Sequence, residues 1–209
     1  MNEQLDLGKY QGKKLIAFDL YGTCIDHPNK DIRIPLELKD ILMKQAITLK
    51  EIEEKGQDFW DNFRINDVIE SIRNDIKWTF LLEKTLETLE YIKSKWYKIA
   101  VVSNLSKDYA EPLYRLIPKW NFDYEILSFN VWAIKPDPEI YEKLKETSWI
   151  DFKDMIMVWD SFKSDVKWSY KVWIIPIHLN RSEKWIKEAH KWWIDFIQIS
   201  TLDNLKEIL

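Results

Sequence analysis

Tryptophan stands in this chain at turns where the backbone favours glycine, and that restricts how every helix can hand over to the next strand. The 209 residues include only four glycines but twelve tryptophans, whereas ordinary usage of about 7 % would supply roughly fifteen glycines. Trp96, Trp149 and Trp173 each close a polar, helix-like run and stand just before an apolar or strand-like stretch. That slot after a helix commonly takes left-handed backbone and prefers glycine. A residue with a Cβ costs roughly 1–2 kcal/mol there, against a total domain stability of about 5–15 kcal/mol. The pattern predicts that the gene spells glycine with UGA, a codon whose usual alternative meaning is tryptophan. Glycine is then expected at most of positions 60, 78, 96, 120, 132, 149, 159, 168, 173, 185, 192 and 193. The competing reading is a tryptophan-rich protein using its rings as packing anchors. Against it, Trp192 and Trp193 lie in a lysine-rich stretch and not on one apolar face.

Length and a hydrophobic content of 46 % suit one domain with a modest insertion and a sizeable core. The 31 basic residues interleave with 35 acidic ones, for a net charge of −4. No basic stripe points to nucleic acid or to an anionic membrane. The amino terminus lacks the basic start and apolar core of a leader, and no apolar run approaches a membrane span, so a cytoplasmic location is expected. A single cysteine, Cys24, rules out an internal disulfide and a cysteine-rich metal cluster. It reads as a small buried hydrophobe. Nothing in the pattern specifies an oligomeric state.

Apolar runs of strand character occur at 13–20, 97–104, 122–127, 154–159, 172–179 and 194–199. Amphipathic helical segments near 106–117, 136–147, 161–171, 182–190 and 201–208 separate most of them. Alternation of this kind predicts an α/β architecture, a Rossmann-like parallel sheet with helices on both faces. Residues 24–90 interrupt it with polar helical periodicity and no convincing strand. They are expected to form a helical insertion after the first strand, leaving 1–23 and 91–209 as the core.

Ligands in such a sheet bind beyond the carboxyl ends of the strands. There the first strand ends in Asp19-Leu20-Tyr21-Gly22-Thr23 and the second in Ser103-Asn104. Lys135 follows the third within IKPDPEIY, and the fourth ends in Asp160-Ser161, with Asp165 shortly after. An ammonium and a hydroxyl suit an anionic substrate, and a hard cation between two carboxylates offsets their repulsion. His27, His178 and His190 share no ligand spacing and are assigned no role.

The four motifs, DLYGT at 19–23, VVSN at 101–104, IKPDPEIY at 134–141 and VWDSFKSD at 158–165, appear in the order of the haloacid dehalogenase superfamily, which the chain resembles over nearly its whole length. The resemblance implies a subfamily I-like member with a small helical cap at 24–90. It implies that Asp19 is a nucleophile forming a covalent aspartyl intermediate and that Thr23 orients the loop. Ser103, Asn104, Lys135 and Tyr141 are implied at the substrate. Mg²⁺ is implied on Asp19, the Tyr21 backbone carbonyl, Asp160 and Asp165. Trp159, Trp168 and Trp173 occupy family glycine positions.

Two chemistries follow from that resemblance. Phosphatases of the family normally carry an aspartate proton relay two residues after the nucleophile, where this chain has Tyr21. The DxYGT motif is instead similar to the metal-independent 2-haloacid dehalogenases. Asp160 and Phe162 depart from the dehalogenase pattern toward metal binding. Mg²⁺-dependent hydrolysis of a small phosphate monoester through an aspartyl-phosphate on Asp19 is the leading expectation. Asp19, Tyr21, Thr23 and Lys135 are the expected catalytic set, and the alternatives are a metal-independent 2-haloacid dehalogenase or a catalytically weakened binding protein of the same fold.

Overall fold

All six apolar runs become strands of one sheet. The computed structural model describes residues 7–28, 47–54, 65–161, 172–181 and 196–209. The strands are β1 (Leu15–Phe18), β4 (Lys98–Ser103), β5 (Tyr124–Leu127), β6 (Met155–Trp159), β7 (Ile175–Leu179) and β8 (Ile197–Ile199). They are ordered β5-β4-β1-β6-β7-β8, and every neighbouring pair is parallel. The fold is the expected α/β, Rossmann-like one.

The helices are α1 (Leu49–Glu54), α2 (Ile65–Trp78), α3 (Thr85–Ser94), α4 (Glu111–Leu116), α5 (Ser128–Val131), α6 (Pro138–Ser148) and α7 (Leu205–Ile208). Successive strand residues point to opposite faces of the sheet, and both faces are covered. Ile16 and Phe18, Ile99 and Val101, and Ile156 and Val158 pack in one apolar layer with Leu89 and Ile92 of α3, Leu113 of α4 and Leu205 of α7. Leu15 and Ala17, Ala100 and Val102, and Met155 and Met157 pack in the other layer with Ile140, Tyr141 and Leu144 of α6. Burial on both faces explains why the strands read as continuous apolar runs without polar alternation.

Helix α6 shows how local signals set the boundaries. Asp137 precedes it in extended backbone, and Pro138 takes its first position, where no amide donor is needed. Trp149 closes it in left-handed backbone. The helices expected at 161–171 and 182–190 lie almost wholly outside the described residues, as does Asp165.

The segment 24–90 differs from the sequence expectation in containing strand. Two short strands, β2 (Ile25–Asp26) and β3 (Phe80–Leu81), pair antiparallel where the chain enters and leaves it. Two residues per strand are too few to create a period that sequence reading can detect. Between them, Leu49 and Ile52 of α1 and Ile69 and Ile72 of α2 form a separate small apolar cluster against which Tyr109 packs. Among the described residues no helix is long and apolar enough to cross a membrane.

Ile16 lies fully buried in the central strand. Ile16→Ala is expected to lower the unfolding free energy by about 2–5 kcal/mol, read by urea denaturation. Lys50→Ala, on an exposed face of α1, is expected to change it by no more than about 0.5 kcal/mol.

Candidate active site

Strand β1 is the topological switch point of the sheet: the chain builds outward through β4 and β5, then returns to build β6, β7 and β8 on the other side. The crevice at its carboxyl end is therefore the place where an open α/β sheet presents a ligand site. Asp19 follows β1 directly, Ser103 ends β4, and Asp160 follows β6. Lys135 arrives from the loop between α5 and α6.

Two hydrogen-bond donors and an ammonium converge on one oxygen of Asp19. Ser103 Oγ donates to Oδ1 at 2.8 Å, the Leu20 amide donates to it at 2.8 Å, and Lys135 Nζ lies 2.9 Å away. Among the described residues no donor reaches Oδ2. The Lys135 side chain is only 3 % exposed, so its ammonium depends on Asp19 for compensation. Among the described residues the carboxylate is thus held through one oxygen.

The Asn104 side chain is paired with the backbone of Lys135. Its amide nitrogen donates to the Lys135 carbonyl at 2.7 Å, and its amide oxygen accepts from the Lys135 N–H at 2.6 Å. Both ends are spent on presenting Lys135. Ser128 Oγ, at the start of α5, accepts from the Leu105 amide (3.0 Å) and donates to the Leu105 carbonyl (2.9 Å), which fixes the same loop from its other side. Tyr141 is fully buried with Ile140 and Leu144 in one apolar layer of the sheet.

The first and fourth motifs meet at Gly22. This glycine has φ +75°, and a Cβ built on it would collide with Oδ2 of Asp160. His178, near the end of β7, lies with Nε2 at 3.1 Å from the Asp160 carbonyl, where a ring N–H donates. Burial pushes the His178 imidazole below its ordinary value of 6.5, opposed by that backbone contact. Arg181 donates to the carbonyls of Gly22 and Thr23, the latter at 2.8 Å. Thr23 is fully buried, and its hydroxyl has no hydrogen-bond partner among the described residues.

The Tyr21 side chain is engaged with Tyr109 and His27. Its hydroxyl donates to the Tyr109 carbonyl at 3.2 Å, and its ring packs edge-on against Tyr109 and His27, each at 5.6 Å between centroids. Burial drives its phenol well above the ordinary range. Tyr109 in turn donates its hydroxyl to Asp75 Oδ2 at 3.3 Å, and His27 Nδ1 lies 3.6 Å from the same oxygen. Asp75, on α2, is 2 % exposed. Burial raises its carboxyl pKa, while His27 and the Tyr109 hydrogen bond pull it back in part.

Sequence reasoning missed Arg181, Asp75 and Tyr109 and gave His27 and His178 no role. Arg181 had a usable signal, since it stands two residues beyond an apolar strand. The Asp75 cluster had none, because its members lie on separate elements.

The donor set suits a hard cation. Asp19, the Tyr21 carbonyl and Asp160 offer oxygen only, the ligand type that Mg²⁺ prefers together with water and substrate oxygens. Among the described residues no group of three or more His, Cys, Asp or Glu side chains forms a metal cluster.

A parallel sheet with a pinned aspartate at its switch point and a buried lysine beside it is the kind of site an open α/β enzyme presents. Residues 16–174 match the family of haloacid dehalogenase-like hydrolases, and the chain belongs to that family. No curated protein matches it. Among solved structures it is similar to a HAD phosphatase from Thermococcus onnurineus, at 20 % identity and TM-score 0.62, over 93 % of this chain and 97 % of that one. It is also similar to a HAD family enzyme from Bacteroides thetaiotaomicron in complex with magnesium and inorganic phosphate, at 20 % identity and TM-score 0.65, over 83 % and 98 %. A 2-haloacid dehalogenase from Pseudomonas syringae pv. Tomato DC3000 is similar at 16 % identity and TM-score 0.66, over 94 % and 97 %. At these identities the likeness is one of fold.

A histidine held neutral by burial contributes stability that is present above its unfolded pKa and lost as pH falls through it. Thermal unfolding between about pH 7 and pH 5 should therefore show a declining Tm with acidification. His178→Gln, which keeps a donor for the Asp160 carbonyl but does not titrate, should flatten the decline.

Proposed function

We propose that the protein is a phosphate monoester hydrolase working through an aspartyl-phosphate on Asp19, with Mg²⁺ held by Asp19, the Tyr21 carbonyl, Asp160 and Asp165. The observation that carries this reading is the one-sided hold on Asp19. With Oδ1 bound by Ser103, Lys135 and the Leu20 amide, Oδ2 is the oxygen that attacks phosphorus. The ester oxygen then leaves with the bonding pair. Water attacks the same phosphorus in the second step, releasing inorganic phosphate and restoring the carboxylate. Lys135 and Ser103 stabilise the anionic phosphoryl group, and Asn104 and Ser128 hold Lys135 and its loop in place. Mg²⁺ when bound would offset the repulsion between two carboxylates and a dianionic substrate.

The same reading takes 24–90 as the cap of a subfamily I-like enzyme that acts on a small molecule, with 1–23 and 91–209 as its core. Its relatives in fold include a magnesium- and phosphate-bound enzyme, which supports the cation without deciding it. Tyr21 favours a second reading, a 2-haloacid dehalogenase in which Asp19 Oδ2 attacks carbon and halide leaves without needing a proton. Asp160, placed against Gly22 beside the nucleophile loop, is the reason the phosphatase reading is preferred.

Because the Tyr21 phenol is pushed up by burial and its hydroxyl is engaged by Tyr109, the leaving group receives no proton from position 21. Turnover should therefore favour esters with acidic leaving groups, such as p-nitrophenyl phosphate, over alkyl phosphates. Phosphate release is expected to require Mg²⁺ and to fall at least roughly 10³-fold in Asp19→Asn. Tyr21→Asp should raise turnover of alkyl phosphates by up to about 10²–10⁴-fold, the usual size of a general acid contribution. Halide release from 2-chloropropionate without phosphate release would overturn the phosphatase reading in favour of the dehalogenase. Neither release would leave a binding protein.

A further inference from the structure

Left-handed backbone in this protein is shared between glycine and tryptophan. Among the described residues Gly12 and Gly22 have φ of 73° and 75°, and the non-glycine positions in that region are Lys84, Trp96, Trp132, Trp149 and Trp173, with φ of 65°, 68°, 59°, 58° and 67°. Three of these tryptophans terminate helices in the same way. Trp96, one residue beyond the cap of α3, donates its amide to the Lys93 carbonyl. Trp132 closes α5 with its amide on the Ser128 carbonyl, and Trp149 closes α6 with its amide on the Lys145 carbonyl, all three at 2.9 Å. Trp173 occupies the turn that enters β7. These hydrogen-bonded endings require αL backbone, which a Cβ penalises and glycine does not.

The side chains return little for that cost. Trp96 is 94 % exposed, Trp149 93 %, Trp173 81 % and Trp132 68 %, so the rings withdraw little apolar area from water. They do not share a docking face either. Trp96 follows α3, which packs on one side of the sheet, and Trp149 follows α6, which packs on the other. Trp159 is fully buried, and its indole N–H has no acceptor among the described residues, a mismatch of residue and position of a second kind.

We infer that the native polypeptide carries glycine at positions 96, 132, 149 and 173, inserted at UGA codons by a glycine-charged tRNA, and that the other eight tryptophans of the printed chain are glycines by the same reassignment. The partner this assigns to the host is a tRNA that pairs with UGA and is charged with glycine. The assignment concerns backbone geometry and stands apart from the choice of substrate.

Three measurements test it. The gene should show UGA at all four positions, and UGG at any of them overturns the inference. Peptides of the protein isolated from its own host should have the mass of glycine at 96 and 149, and tryptophan there overturns it even where the codon is UGA. The printed full-length chain and its quadruple variant Trp96→Gly, Trp132→Gly, Trp149→Gly, Trp173→Gly should differ in thermal stability. The variant is expected to melt higher by roughly 10 °C, and an equal or lower Tm removes the backbone argument. None of these readouts involves activity, so a failed phosphatase assay leaves them unchanged.

Discussion

The hold on Asp19 organises the rest of the molecule. A carboxylate and a nearly buried ammonium are costly to desolvate separately, and they are tolerated because each completes the other together with further hydrogen bonds. Ser103, Lys135 and the Leu20 amide meet on Oδ1 only if the ends of β1 and β4 and the loop before α6 arrive at one point. The parallel register sets that point, with Phe18 opposite Val101 on one side and Val158 on the other. Asn104 then fixes the backbone of Lys135 at both its amide and its carbonyl. The sheet therefore serves as a jig for one ion pair.

Much of this was legible in the sequence where the signal was periodic or local. The six strands were visible because their residues are buried on both faces, and observed boundaries fall inside the expected runs. Asp19, Ser103 and Asp160 could be named because residues at the end of a parallel strand are placed by the strand itself, and Lys135 because it stands just ahead of the Pro-Asp-Pro that opens a helix. What escaped was non-local or too short. The β2–β3 ribbon has only two residues a side. The pairing of His27 with Asp75, and of Arg181 with the carbonyls of Gly22 and Thr23, joins residues far apart in the chain. The pairing of the Asn104 amide with the Lys135 backbone also escaped, because motif spacing does not say where a side chain's polar atoms go.

The segment 24–90 is tied to the core at two levels. At its neck, the Leu82 amide and the Thr85 hydroxyl both donate to the Cys24 carbonyl, so the outgoing strand is fastened to the incoming one. Above the neck, Asp75 of α2 meets Tyr109 and His27 over the ring of Tyr21. A position that could have held a proton donor instead forms the floor of this contact. Tyr21 is thus engaged in packing and anchoring, and the burial that comes with it raises its phenol.

Gly22 occupies a position that only glycine fits. Its positive φ admits few side chains, and the space a Cβ needs belongs to the Asp160 carboxylate. Any replacement therefore disturbs the first and fourth motifs together. Most single-base changes of a glycine codon add a side chain, so this codon stands among the least able to drift. Two acidic motifs separated by more than a hundred residues of sequence are thus fitted to each other at a position that has room for a hydrogen atom and not for a methyl group.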